Sequence, residues 1–133
     1  MPIVRIDVNR DRDPEQRRAI SDAVHRAFVT AVGIPEGDRF HLLTTHAGDE
    51  LIADPTYLDV ARRDVVFIQI TLIRGRSDEM KQRLYRAIRD GLVAVGVRSQ
   101  DVAVILTENG PADYSWGDGE AQVLALGPVA GTT

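Results

Sequence analysis

Two halves of this chain carry one pattern, and that repetition narrows the folds open to it more than any other feature. Val4, Ile6 and Val8 stand 64 residues before Ile68, Ile70 and Leu72. Ala31-Val32-Gly33-Ile34 is echoed by Ala94-Val95-Gly96-Val97, Asp38 by Asp101, and Leu42-Leu43-Thr44 by Ile105-Leu106-Thr107. A pattern this long, present only twice, is not that of a solenoid, whose units recur many times at roughly 20–50 residues. Each copy reads strand, helix, strand. The halves, about 2–45 and 65–107, are expected to form one α+β domain spanning residues 1–133. Its architecture is a four-stranded mixed sheet with two helices on one face, plus short extra strands, and the segment 108–133 completes the site and the subunit contacts.

The strands follow from alternation of apolar residues with period two. Pro2 to Val8 puts Val4, Ile6 and Val8 on one face, and Phe40 to Thr45 sets Phe40 and Leu42 against His41 and Leu43. Val65 to Ile73 is the most apolar run: Val66, Ile68, Ile70 and Leu72 take one face and Val65, Phe67 and Ile73 the other, so both faces need cover. Val102 to Thr107 is a further strand, Ala121 to Leu126 a last short one, and a frayed tail follows. For the first helix Asp13 is the N-cap, Pro14 the first helical residue and Gln16 the capping-box partner. Ile20, Ala23, Val24, Ala27, Phe28 and Ala31 form its apolar stripe, and Gly33 ends it. Ser77 caps the second helix, with Asp78 and Glu79 where the helix dipole favours acids. Its stripe is Met80, Leu84, Ala87, Ile88 and Leu92, and Gly96 closes it. Residues 51–64, broken by Pro55, read as irregular. Helices on one face leave the opposite, partly apolar sheet face bare, and other copies of the chain are expected to cover it.

Composition removes several classes of function. The net charge of −4 opposes a general nucleic-acid binder, which needs a clustered basic face. The absence of cysteine excludes disulfides, thiolate metal sites and cysteine nucleophiles. His25, His41 and His46 lack metal-ligand spacing: His25 borders a helix stripe and is expected partly exposed, His41 in its strand lines a pocket or an interface, and His46 falls in a loop. Ser115 has no nucleophile-elbow context, and Gly117-Asp118-Gly119 reads as a turn. Met1 to Arg5 does not look like a signal peptide and no run has transmembrane length, so the cytoplasm is the expected location.

Three features carry chemistry. Loss of Met1 before a small residue would free Pro2 as a secondary amine fixed at a strand end. Burial or nearby cations would make such an amine a general base, and a nearby carboxylate would keep it cationic, as an acid. Arg74 and Arg76 flank Gly75 where the central strand meets the Ser77-capped helix, a place that favours anions and suits a bidentate clamp on a carboxylate. Asp38, in the Pro35-Glu36-Gly37-Asp38 loop, is either a turn or cap residue, as its counterpart Asp101 suggests, or a group that holds the Pro2 ammonium or steers a water.

Together these residues resemble the tautomerase superfamily and, within it, the malonate semialdehyde decarboxylase group. The resemblance covers nearly the whole chain. It rests on Met1-Pro2 opening a strand, the β-α-β repeat, Asp38-Arg39-Phe40, Arg74-Gly75-Arg76-Ser77, Thr107-Glu108-Asn109-Gly110-Pro111, and Asp113-Tyr114-Ser115-Trp116-Gly117, which is similar to the group's D-W-S-F-G. It implies a homotrimer whose sheets face one another, and a catalytic Pro2 assisted by Asp38. It further implies that Arg74 and Arg76 bind the substrate carboxylate and that Tyr114 and Trp116 form an aromatic wall. The larger ring stands after Ser115 here rather than before it, which alters the pocket. The implied reaction is decarboxylation of a 3-oxo acid such as malonate semialdehyde, with no metal or organic cofactor, through either polarisation of the carbonyl or a covalent iminium on Pro2. Keto–enol tautomerisation of phenylpyruvate-like 2-oxo acids and hydration of haloacrylates or acetylenic acids are alternatives on the same groups. A non-enzymatic trimer that binds a small acid or a protein partner is a further one.

Overall fold

The computed structural model describes residues 1–127. Strand β1 (Ile3–Asn9) leads to helix α1 (Pro14–Val32) and strand β2 (His41–His46); β3 (Val66–Ile73), α2 (Asp78–Ala94) and β4 (Val102–Asn109) repeat that order. The strands lie in the order β2-β1-β3-β4, with β1–β2 and β3–β4 parallel and the two central strands antiparallel. The sequence repeat is therefore a pseudo-twofold, joined where Ile6 pairs with Ile68.

Both helices cover one sheet face. Val4, Ile6 and Val8 from β1 and Val66, Ile68, Ile70 and Leu72 from β3 meet Ile20, Val24 and Phe28 of α1 and Leu84, Ile88 and Leu92 of α2, and none is more than 1% exposed. Truncating such a residue to alanine costs about 2–5 kcal/mol. The helices touch closely where Gly91 faces Ala23; a Cβ on Gly91 would lie 3.2 Å from that of Ala23.

Local signals set the helix ends. Asp13 Oδ1 accepts from Gln16 N at 2.7 Å, and Gly33 takes the left-handed conformation at φ +81°. The capping box expected from Gln16 is only half made, because its side-chain amide donates to Val95 O at 3.1 Å instead, tying α1 to the end of α2. The stretch 48–59 holds two short 3-10 turns. The strand expected at Ala121 to Leu126 is a single helical turn, α3 (Gln122–Ala125), and no extra strand joins the four among the described residues. The expected tail lies, apart from Gly127, outside the described residues.

The histidines depart from expectation in two cases. His25 is buried, with Nε2 2.8 Å from Glu36 O. His46 ends β2 rather than lying in a loop, and pairs with Asp7 at 2.6 Å on the face away from the helices. His41 points to the helix side, where Nδ1 lies 2.8 Å from Ser21 Oγ; Arg39 also donates to that oxygen, so the serine hydroxyl is left to donate to His41. Burial first, and then Arg39 and His25, lowers the His41 pKa from 6.5 to about 4. A folded-state pKa below the unfolded one gives stability that is present above about pH 6.5 and lost as pH falls toward 4. The melting temperature should thus fall between about pH 6.5 and pH 4, and His41→Asn, which keeps an acceptor for Ser21, should flatten that fall.

The face opposite the helices is bare over much of its area. Ile105 is 59% and Leu42 45% exposed there, alongside exposed Arg5 and Gln69. No described helix is long and apolar enough to cross a membrane.

Candidate active site

Because β1 and β2 begin where β3 and β4 end, one end of the sheet gathers four separate pieces of chain. These are the N-terminus, the approach to β2 at Asp38 to Phe40, the Arg74–Arg76 loop, and residues 108–116. Val4 N donates to Phe40 O at 3.0 Å and Arg74 N to Asn109 O at 2.8 Å, which ties the pieces together. Pro2 is buried at the centre, its nitrogen an amide of Met1. The Met1 ammonium lies 3.3 Å from Asp38 Oδ2. Asp38 Oδ1 is also buried and accepts no hydrogen bond among the described residues. Asp101, its counterpart in the repeat, is different: it is 1% exposed, takes Arg63 N at 2.8 Å on Oδ1 and Arg98 Nη1 at 3.3 Å on Oδ2, and so pins a loop. One sequence pattern thus yields a structural carboxylate at one end of the sheet and one with bonding capacity to spare at the other.

Gly75 separates the two arginines at φ +127°, a conformation that side-chain-bearing residues rarely adopt. The turn sends them to different places. Arg76 is 6% exposed and its Nη1 donates to Ile73 O at 2.7 Å. Burial lowers its affinity for a proton, while Tyr114, Glu108 and Asp38 act in the opposite sense. Arg74 is exposed and its guanidinium lies over Gly110, where a Cβ would stand 2.8 Å from Nη1. Gly110 itself has an ordinary φ of −112°, so Gly110→Ala strains no backbone and only pushes Arg74 aside. If Arg74 holds a substrate carboxylate, this variant should raise KM about ten-fold with little change in unfolding, measured by steady-state kinetics beside a thermal melt.

The third side is aromatic. Trp116 stacks on Phe40 with ring centroids 4.0 Å apart and on Tyr114 at 5.9 Å. Ile73, Tyr114 and Val123 form a second buried cluster against which Met1 and Trp116 pack. Helix α3 supports this wall: Gln122 Oε1 accepts from Trp116 N at 3.0 Å and its amide donates to Gly117 O at 2.9 Å. That is why the apolar 121–126 run is helical, since the turn delivers Val123 inward while Gln122 braces the loop. Trp116 Nε1 is buried without a hydrogen-bond partner among the described residues. Burial raises the Tyr114 pKa, and Asn109 and Arg76 oppose the rise.

Pro2, Asp38, Arg76, Tyr114 and Trp116 therefore converge, with Arg74 at the solvent side. His41 lies elsewhere, on a cavity of about 510 Å³ between α1 and β2. Phe40, Ile73, Gly110 and Val123 join the site without a role expected from the sequence. Phe40 and Gly110 stand inside the motifs quoted above, whereas nothing in the sequence separates Ile73 and Val123 from ordinary core residues.

A family model described as "Tautomerase enzyme" matches residues 38–117, and a second of the same description matches residues 2–61. The probable tautomerase YusQ of Bacillus subtilis (strain 168) is 33% identical over 126 residues, covering 93% of this chain and 99% of that protein. A malonate semialdehyde decarboxylase solved with the inhibitor 3-bromopropiolate is 44% identical, with a TM-score of 0.89 over 92% of this chain and 95% of that one. Another malonate semialdehyde decarboxylase, solved to explain its decarboxylase and hydratase activities, is 32% identical with a TM-score of 0.86 over 92% of this chain and 96% of that one.

Proposed function

This chain belongs to the tautomerase family, and we propose that, once Met1 is removed, it catalyses cofactor-independent decarboxylation of a 3-oxo acid of the malonate semialdehyde type. The observation that carries the reading is the ammonium–carboxylate pair at Asp38, set beside a buried arginine. Removing Met1 transfers the chain's ammonium to Pro2, three bonds nearer the sheet. A carboxylate beside an amine favours the protonated form, which suits an acid rather than a base.

In this mechanism Arg76, with Arg74 at the solvent side, fixes the substrate carboxylate so that the bond to be broken stands perpendicular to the carbonyl plane. The Pro2 ammonium donates a hydrogen bond to the carbonyl oxygen, where negative charge grows as carbon dioxide departs. Tyr114, Trp116 and Phe40 limit water around that charge. A Pro2 that has passed its proton to Asp38 would instead attack the carbonyl carbon and, with loss of the carbonyl oxygen as water, form an iminium, an equally good electron sink. A homotrimer built through the bare sheet face, with Leu42 and Ile105 buried between copies, is part of the proposal.

Keto–enol tautomerisation is the second reading, favoured by the name of the Bacillus subtilis relative. It needs neutral Pro2 as base, so its rate rises as the amine loses its proton, whereas the decarboxylase rate falls. Carbon dioxide release from malonate semialdehyde by protein of verified mass, measured across pH beside phenylpyruvate tautomerisation, decides between them. Decarboxylation with a falling alkaline limb supports the proposal, and tautomerisation alone with a rising limb replaces it.

A further inference from the structure

Met1 occupies the site as a covalent stand-in for a substrate. Its carbonyl carbon is bonded to the Pro2 nitrogen, the position of an iminium carbon, and next to the place of a carbonyl polarised by the Pro2 ammonium. From there its side chain, four heavy atoms long and unbranched, packs against the cluster of Ile73, Tyr114 and Val123, on which Trp116 also packs. The side chains of that cluster are apolar apart from the Tyr114 hydroxyl and are at most 8% exposed. Asp38 meets the Met1 ammonium rather than its side chain, and Arg76 borders the cluster from behind, its Nη1 donating to Ile73 O at 2.7 Å.

Excision of Met1 therefore uncovers more than an amine. It opens a slot on the apolar side that malonate semialdehyde, with only hydrogen beyond its carbonyl, does not fill. We infer that this chain takes 3-oxo acids bearing an unbranched apolar substituent of about three or four heavy atoms on the carbonyl carbon, accommodated where the Met1 side chain lies. This rests on the decarboxylase reading for its chemistry, though not for its shape. For R–CO–CH2–COO⁻ the bond between the carboxylate carbon and carbon 2 breaks, and its electron pair moves onto the carbonyl oxygen as an enolate. Protonation at carbon 2 then leaves a methyl ketone and carbon dioxide, with one proton consumed.

Trp116 is the only tryptophan in the sequence and packs on the same cluster, so its fluorescence reports occupancy of this slot. Processed protein is titrated with unreactive 3-hydroxy acids from 3-hydroxypropanoate to 3-hydroxyheptanoate, and the matching 3-oxo acids are assayed for carbon dioxide release. Affinity is expected to rise about four-fold per added methylene up to a propyl or butyl substituent. The kcat/KM series should follow the same order, and Val123→Phe should lower the ratio of long-chain to short-chain affinity at least ten-fold. Tightening with chain length but no decarboxylation of any member upholds the slot and sinks the decarboxylase reading. Affinity that is flat or falls with chain length overturns the inference, whether or not malonate semialdehyde is turned over, and so does a Val123→Phe ratio equal to the wild-type one.

Discussion

Treating Met1-bearing protein with methionine aminopeptidase is expected to raise decarboxylase activity by about 10²–10⁴-fold, the range a positioned acid or base supplies. The physical reason lies in one bond. With Met1 in place the Pro2 nitrogen is an amide that neither carries a proton nor attacks a carbonyl, and the Met1 side chain fills the apolar wall. Intact mass before and after treatment ties the gain to loss of one methionine. Pro2→Ala is processed in the same way yet presents a primary amine on a freer backbone, so it should keep only a small part of the activity. Asp38→Asn should be processed normally and shift the alkaline limb of activity to lower pH, because an amide no longer stabilises the ammonium. Equal activity with and without Met1 would remove the amine from the mechanism altogether.

Replacing Arg76 by alanine should lower kcat/KM by about 10²–10³-fold, the effect of deleting one partner of a desolvated charge pair. Arg76 is nearly fully buried and has one guanidinium nitrogen on Ile73 O, so the loss falls on a group already oriented before substrate arrives. Truncation also strips that carbonyl of a donor and should cost about 1–3 kcal/mol of stability, readable in a denaturant titration. Lysine keeps the charge but not the planar fork, and should rescue stability better than activity. Arg74→Ala removes an exposed side chain resting on Gly110, so its effect should be smaller and mainly on KM. Equal losses for the two arginines would mean that the burial difference between them has no bearing on binding.

Much of the fold was legible before any coordinates, because it rests on local patterns. Alternation placed β1, β3 and β4 within two residues, and the caps at Asp13, Gly33 and Ser77 behave as their side chains require. The last strand was misread for a related reason: in 121–126 an apolar run too short to show a period was settled by a contact outside it, the brace from Gln122 to the Trp116–Gly117 backbone. His25 and His46 were misplaced because burial and pairing partners 11 and 39 residues away leave no local trace.

The site divides along the same line. Residue order dictates which types stand at each strand end: an N-terminal Met-Pro, an aspartate before β2, two arginines about a glycine, and a late aromatic pair. Residue identity and helix or strand period are properties of neighbours along the chain. Packing in three dimensions sets the rest: Asp38 faces the N-terminus with an oxygen to spare while Asp101 is fully engaged, Arg76 is buried and Arg74 is not, and Phe40 completes the aromatic wall. Those outcomes depend on which strand ends meet. The antiparallel junction of the two repeats sets that meeting, and solvation and charge are decided there by groups up to about a hundred residues apart.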